Sequence, residues 1–190
     1  MFAKISTFAK VVNIKYINMH FSTLFNYCPR CGSGSFVNNN VKSKHCESGN
    51  FVMYVNASAA VAAFIINTNN ELLVCKRAKD PEKGTFDLPG GFVDDNETAE
   101  QAVIREIKEE LNADVIESAY VFSLPNLYEY SGWTLPTLDL FFVCKLKNYA
   151  ALKAGDDVES CFFIPIDQIN PSQFGLKSIR KGVELFKNQF

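Results

Sequence analysis

The chain has 190 residues, a formal net charge of −2 and 47% hydrophobic residues, 17 of its residues being phenylalanine. That length suits one medium domain with a small appendage, and the apolar fraction is enough for a sizeable aromatic-rich core. The charge gives no general attraction to nucleic acid or to an anionic membrane surface, and no apolar run is long enough to span a bilayer as a helix.

Residues 1–27 read as an N-terminal extension. Lys4, Lys10 and Lys15 are interleaved with Phe2, Ile5, Phe8, Val11, Val12, Ile14 and Ile17, and no acid appears. The stretch lacks arginine and a small-residue cleavage site, which argues against a targeting peptide. Met19 is an alternative start.

Residues 28–50 carry Cys28-Pro29-Arg30-Cys31-Gly32, with fourteen residues between Cys31 and Cys46. Cys-x-x-Cys-Gly is a knuckle that wraps a tetrahedral zinc ion. A second knuckle beginning at Cys46 would need its partner at position 49, which is Gly49. His45 adjoins Cys46 and would give a Cys3His set after backbone adjustment; a degenerate, metal-free ribbon is the alternative. Redox chemistry is a weaker reading, because no strand–helix context of the thioredoxin kind follows. Cys75, Cys144 and Cys161 sit singly in apolar, strand-like runs, as buried free thiols do. The six cysteines therefore do not form a disulfide framework, and a reducing cytoplasm is the natural compartment.

From position 51 the pattern is strand-like. Runs at 51–55, 59–66 and 71–77 read as strands, the last two joined by a turn at Asn67-Thr68-Asn69-Asn70. Residues 80–84 are loop, and 86–88 lead into Pro89-Gly90-Gly91. A helix is predicted over 98–111, followed by a strand at 115–124. A second strand within 133–146 is apolar on both faces and so central to its sheet. An acidic loop over 154–160, a last strand at 161–166 and an amphipathic helix over 171–188 complete the domain.

The predicted helix at 98–111 carries the strongest chemical signal. Glu106, Glu109 and Glu110 are spaced i, i+3, i+4, so their carboxylates project from one face, while Ile104, Ile107 and Leu111 fall on another. Like charges at this spacing repel, and a divalent cation removes that cost. Hard carboxylate oxygens suit magnesium or manganese better than zinc. A solvated glutamate-rich helix would explain the acidic face, but not Gly91 and Glu97 with five residues between them and Arg105 after seven more.

Those offsets resemble the Nudix box, in which Gly, five residues, Glu and seven residues precede Arg-Glu-aliphatic-any-Glu-Glu-any-Gly-aliphatic. This chain keeps the glycine (Gly91), the four glutamates (Glu97, Glu106, Glu109, Glu110), Arg105 and Ile107. It departs at Asn112, where the family has glycine, and at Ala113. Asparagine is the next best residue for a left-handed helix end, and Asn96 is expected in a tight turn. The resemblance implies a Nudix fold, an α/β/α sandwich with a mixed sheet over residues 52–190, and magnesium-dependent hydrolysis of a diphosphate linked to another moiety. It implies a Gly91 carbonyl and Glu106, Glu109 and Glu110 as metal ligands. Arg105 would pair with Glu97 and a box glutamate. The general base varies within the family; Glu109 is the first choice here and Glu159 the second, with an outlying ligand of the metal or a solvated loop acid as alternatives for Glu159.

Residues 28–50 resemble the zinc ribbon that precedes the Nudix domain in NADH pyrophosphatases, except at the fourth cysteine. Ser123-Leu124-Pro125-Asn126-Leu127-Tyr128 lies where those enzymes carry Ser-Gln-Pro-Trp-Pro-Phe-Pro, and only Ser123 and Pro125 agree. Tyr128, Tyr130 and Trp133 are candidates for stacking on a base or nicotinamide. A nucleoside diphosphate derivative such as NADH or ADP-ribose is the expected substrate. A nucleotide-sensing regulator with a Nudix fold is the alternative, though a pure binder has no need of the intact glutamates. Arg30, Lys42 and Lys44 make the ribbon mildly basic, but its aromatics are sparse and nucleic acid is not an expected partner. The ribbon is expected to pack on the catalytic domain or to help form a homodimer.

Overall fold

Among the described residues the chain forms nine strands and two α-helices; the strands at 36–40 and 43–46 fall where the sequence reading names none. The computed structural model describes residues 24–130, 133–150, 152–155 and 158–188, apart from the side chains of Tyr130 and Trp133. Most of the N-terminal extension, and Asp156 and Asp157 of the acidic loop, lie outside the described residues. The described chain divides into two compact units, 24–57 and 58–188. Among the described residues no helix is long and apolar enough to cross a membrane.

The smaller unit is an antiparallel sheet of β1 (Phe36–Asn40), β2 (Ser43–Cys46) and β3 (Phe51–Tyr54) in that order. Cys28, Phe36 and Cys46 form its buried centre, with Phe25, Phe51 and Met53 against them. The strand at Phe51–Tyr54 was expected to open the larger domain. It pairs instead with β2, Cys46 opposite Phe51, and so belongs to the smaller unit. The expected boundary near residue 51 thus moves to 57–58.

In the larger unit, β4 (Ser58–Ile65) lies parallel to β8 (Trp133–Leu146), which also pairs antiparallel with β7 (Val115–Tyr130). The expected central position of the apolar 133–146 strand is thereby met. A second, antiparallel sheet has the order β6 (Phe86–Asp87), β5 (Glu71–Arg77), β9 (Val158–Pro165). Strand β7 continues through Pro125 to Tyr130, beyond the predicted end at 124. Strand β9 begins at Val158, so Glu159 stands on a strand rather than in the acidic loop. The predicted C-terminal helix is a short 3-10 turn at Pro171–Gln173 followed by α2 (Lys177–Lys187).

Alternation along the strands sorts the core into two layers. Ala62 and Phe64 of β4 join Leu72, Val74, Phe141 and the α2 residues Ile179, Val183 and Phe186. Val61, Ala63 and Ile65 join Leu73, Cys75, Phe142 and the residues Val103, Ile107 and Leu111 of α1 (Ala99–Leu111). The two helices therefore cover opposite faces, which is the expected α/β/α arrangement. Helix α1 begins with a capping box: Thr98 Oγ1 accepts from the Gln101 amide at 3.3 Å, and Gln101 Oε1 accepts from the Thr98 amide at 2.8 Å. It ends at Asn112 in the left-handed conformation, φ 51°, ψ 34°. Ile104 was expected on the core face but is 42% exposed. The buried stripe is centred on Val103 and Ile107, and one residue's 100° turn carries Ile104 to its margin.

The Phe186 ring stacks on Phe64 with centroids 4.0 Å apart, and Phe64 in turn stacks on Phe141. Removing so large a fully buried ring leaves a cavity that close-packed neighbours fill only in part. Phe186→Ala is predicted to cost about 3–5 kcal/mol of unfolding free energy, measured by urea denaturation, with the fold retained in the native baseline.

Candidate active site

The Pro89–Gly91 turn is held against the free edge of β4. Ala63 N donates to Pro89 O and Val61 N to Gly91 O, each at 2.8 Å. Gly90 lies so close to β4 that an added Cβ would stand 2.0 Å from the Val61 carbonyl oxygen, and its φ is +150°. No other residue fits there without moving the strand. At Gly91 an added Cβ would meet Glu106 Oε1 at 2.5 Å. The two glycines thus let the backbone meet helix α1 at its carboxylates.

Those carboxylates are graded in depth. Glu110 falls inside the buried stripe of α1 and is 8% exposed, with Oε2 accepting the Gly90 amide at 3.0 Å. The Glu106 side chain is 14% exposed, and that of Glu109 is 50% exposed. Arg105 ties the group together. Its Nη2 donates to Glu97 Oε1 at 2.6 Å and to the Phe92 carbonyl at 3.0 Å. Its Nε donates to Glu97 Oε2 at 3.1 Å, completing a two-pronged pair. Its Nη1 donates to Glu106 Oε1 at 2.8 Å and to Glu109 Oε2 at 3.0 Å. Burial pushes the Glu106 carboxyl above its ordinary pKa, against the pull of Arg105. Glu97 is held below its ordinary value, chiefly by the Arg105 hydrogen bonds and also by the Asp94 amide. Arg105 itself is held more firmly protonated, above all by Glu97.

Gly90, Gly91, Arg105, Glu106, Glu109 and Glu110 line one cavity of about 430 Å³. Tyr128 lines it too, edge-on to Phe92 with centroids 5.6 Å apart and hydrogen-bonded to Arg77. Glu159 is not among its lining residues; it pairs with Lys76, which is, at 2.9 Å. Tyr130 and Trp133 are paired across the β7–β8 hairpin, and their side chains lie outside the described residues.

The cavity has a polar wall that the sequence reading did not single out. Arg77 Nη1 donates to Asp87, whose other oxygen accepts the Leu88 amide at 2.8 Å. Asp139 accepts from Thr137 Oγ1 at 2.6 Å and from Ser178 Oγ, with Asn126 as a further partner. Burial raises the pKa of both acids, and Arg77 works against that at Asp87. Two signals were available: Asp139 is the one charged residue in the apolar run 138–144, and Asp87 immediately precedes Leu-Pro-Gly-Gly.

The oxygen donors of the helix fit a hard divalent cation. They are carboxylates at graded depth on a cavity wall, beside a glycine whose missing side chain leaves Glu106 against the backbone. The cysteine cluster is separate. The ligand atoms of Cys28, Cys31 and Cys46 all lie within 4.8 Å of one another, a closeness that no other group of three or more His, Cys, Asp or Glu reaches among the described residues. His45 does not join them: its Nε2 lies 3.2 Å from Asn50 Oδ1. Strand alternation sends neighbouring side chains to opposite faces, which separates His45 from Cys46. Of the three basic residues in this segment, Lys44 is buried and donates to the Phe25 carbonyl at 2.6 Å, so it adds nothing to a basic surface.

The NUDIX domain family matches residues 57–185. An ADP-ribose pyrophosphatase of Methanocaldococcus jannaschii is 35% identical over 138 residues, which cover 72% of this chain and 78% of that protein. The NAD-capped RNA hydrolase NudC of Vibrio atlanticus is 30% identical over 128 residues, 61% of this chain but only 46% of that protein. Among solved structures, a NUDIX hydrolase from Nitrosomonas europaea superposes with a TM-score of 0.67 at 21% identity, covering 87% of this chain and 92% of its own. The NUDIX domain of Shewanella oneidensis NrtR, solved with ADP ribose, gives a TM-score of 0.57 at 18% identity, covering 72% and 90%.

The lowered Glu97 value makes a linkage prediction. A depressed folded pKa contributes stability that is complete above the unfolded pKa and is lost as pH falls through the folded one. Glu97→Gln should therefore lower the melting temperature at pH 7. The gap to the unmodified chain should hold down to about pH 4.3, the ordinary glutamate value, and close at more acid pH. A gap that grows on acidification would contradict the Glu97–Arg105 pairing.

Proposed function

The chain belongs to the Nudix family, and from that premise we propose that it hydrolyses the diphosphate bond of a nucleoside diphosphate derivative, with ADP-ribose and NADH as the leading substrates. The observation that carries this reading is the single cavity that brings Gly91, Glu106, Glu109 and Glu110 to one wall. The 35% identity to an ADP-ribose pyrophosphatase over most of both chains supports the substrate class.

Magnesium or manganese would be held by Glu106, Glu109, Glu110 and the Gly91 carbonyl, and would supply neutralising charge to a densely anionic diphosphate. The chain's own residues set the stage for it. The Gly90 amide fixes Glu110, and Arg105 fixes Glu106 and Glu97. Water attacks one phosphorus, the bridging P–O bond breaks, and two phosphate monoesters leave. Glu109 is the general base in this reading, since it is half exposed at the cavity wall and can pass the proton on to solvent. The pairing of Glu159 with Lys76 leaves it the weaker candidate. Tyr128 and Phe92 offer aromatic edges to a base or nicotinamide, and Arg77, Asp87 and Asn126 offer donors and acceptors to its polar groups. The three cysteines of the smaller unit are the proposed holders of a structural zinc ion.

The reading is tested by phosphate-ester release from ADP-ribose, NADH, dinucleoside polyphosphates and nucleoside triphosphates, with magnesium and with chelator. Hydrolysis of ADP-ribose or NADH is expected with magnesium alone. Glu110→Gln should lower that rate on the order of a hundredfold or more, equivalent to about 2.7 kcal/mol of barrier, with an unchanged circular-dichroism spectrum. Binding of ADP-ribose without turnover would favour the sensor instead. Equal rates with chelator, or near-normal turnover by the variant, would contradict the role given to the glutamates.

A further inference from the structure

The smaller unit contains two turns of like backbone form, of which the second lacks the second thiol of the first. Residues 28–32 read Cys-Pro-Arg-Cys-Gly, and residues 46–50 read Cys-Glu-Ser-Gly-Asn. In the first, the amides of Arg30 and Cys31 direct hydrogen bonds at the Cys28 sulfur. In the second, the amides of Ser48 and Gly49 do the same at the Cys46 sulfur. The fifth residue of each turn is left-handed, Gly32 at φ 73° and Asn50 at φ 51°. The second turn thus keeps the form of a metal knuckle although position 49 brings no thiol.

The distances agree with a metal centre. Cys31 Sγ and Cys46 Sγ are 3.6 Å apart. Thiolates 2.3 Å from a tetrahedral ion stand about 3.8 Å from one another. A Cβ added at Gly49 would lie 3.7 Å from the Cys31 sulfur and 3.8 Å from the Cys46 sulfur, where a fourth ligand would begin. Cys28 and Cys46 are buried, while Cys31 and Gly49 are exposed, so this corner opens to solvent. His45 is turned to Asn50 and does not fill it.

We propose that Cys28, Cys31 and Cys46 bind one zinc ion whose fourth coordination position, open where Gly49 stands, takes an exchangeable ligand from solution, water or a small thiol. Three soft thiolates select a thiophilic ion over magnesium. A structural zinc site is ordinarily closed by four protein ligands; among the described residues this one has a protein ligand at three corners, and its fourth opens to solvent. The proposal does not depend on the diphosphate chemistry of the larger unit, and its readout involves no turnover.

Cobalt(II) substitution of the full, reduced chain tests it. One cobalt ion per chain is expected, displaced by zinc, with the sulfur-to-cobalt charge-transfer and visible bands of a tetrahedral thiolate site. Adding 2-mercaptoethanol should shift the visible bands. Gly49→Cys should show the shifted spectrum without added thiol and no longer respond to it, and His45→Ala should match the unmodified chain. The proposal is overturned if the reduced chain binds neither cobalt nor zinc. It is overturned equally if the unmodified spectrum ignores added thiol and already equals that of Gly49→Cys, or if His45→Ala removes a ligand. Isolation of the chain as a metal-free Cys31–Cys46 disulfide that binds no metal after reduction would overturn it as well.

Discussion

One guanidinium holds the acidic wall in place. Arg105 reaches Glu97, Glu106 and Glu109 and the Phe92 carbonyl, all within 3.1 Å. Without a positive centre, three carboxylates within little more than one turn of helix would repel one another and swing into solvent. With it, Glu106 stays half-buried against Gly91 despite the desolvation that raises its pKa. A planar fork can hold several carboxylates in fixed directions where a lysine ammonium would offer only a point charge. The Gly90 amide does for Glu110 what Arg105 does for the other two.

The fold exists, in functional terms, to bring that helix to that turn. Strand β4 is the common wall: α2 packs on one of its faces, α1 on the other, β8 on one edge and the glycine turn on the opposite edge. Its small residues, Ala60, Ala62 and Ala63, let neighbours approach closely. The buried residues Ile107 and Leu111 fix the depth of α1, and with it the order in which Glu110, Glu106 and Glu109 emerge from the core. The deepest carboxylate meets the backbone and the shallowest meets solvent.

Much of this is written locally in the sequence. The i, i+3, i+4 glutamates, the offsets of Gly91, Glu97 and Arg105, and the Thr98 and Asn112 caps are consequences of helix geometry, which short-range spacing records. The central place of β8 followed from an apolar run on both faces. Features set by long-range pairing were not legible. Strand β7 runs on through Pro125 because β8 pairs with it beyond the point where local propensity ends. Phe51–Tyr54 looks like any half-buried strand, and only its register against Cys46 assigns it to the smaller unit. Glu159 sits on β9 because β5 recruits Val158 onward into its sheet. Arg77 and Asp87 stand ten residues apart, with nothing in their spacing to join them, yet they meet across the β5–β6 pair. Spacing placed His45 beside Cys46 in sequence, while strand alternation turned it away.

A divalent cation lying against the α1 carboxylates is the central requirement of the proposed chemistry, and manganese binding tests it directly. Titration of the chain with manganese(II), followed by electron paramagnetic resonance of the free ion, should show saturable binding in the absence of nucleotide. Glu106→Gln combined with Glu110→Gln should lose it while remaining folded by circular dichroism. Binding that is unchanged in the double variant, or absent from the unmodified chain both alone and with a non-hydrolysable nucleoside diphosphate analogue, would contradict the account.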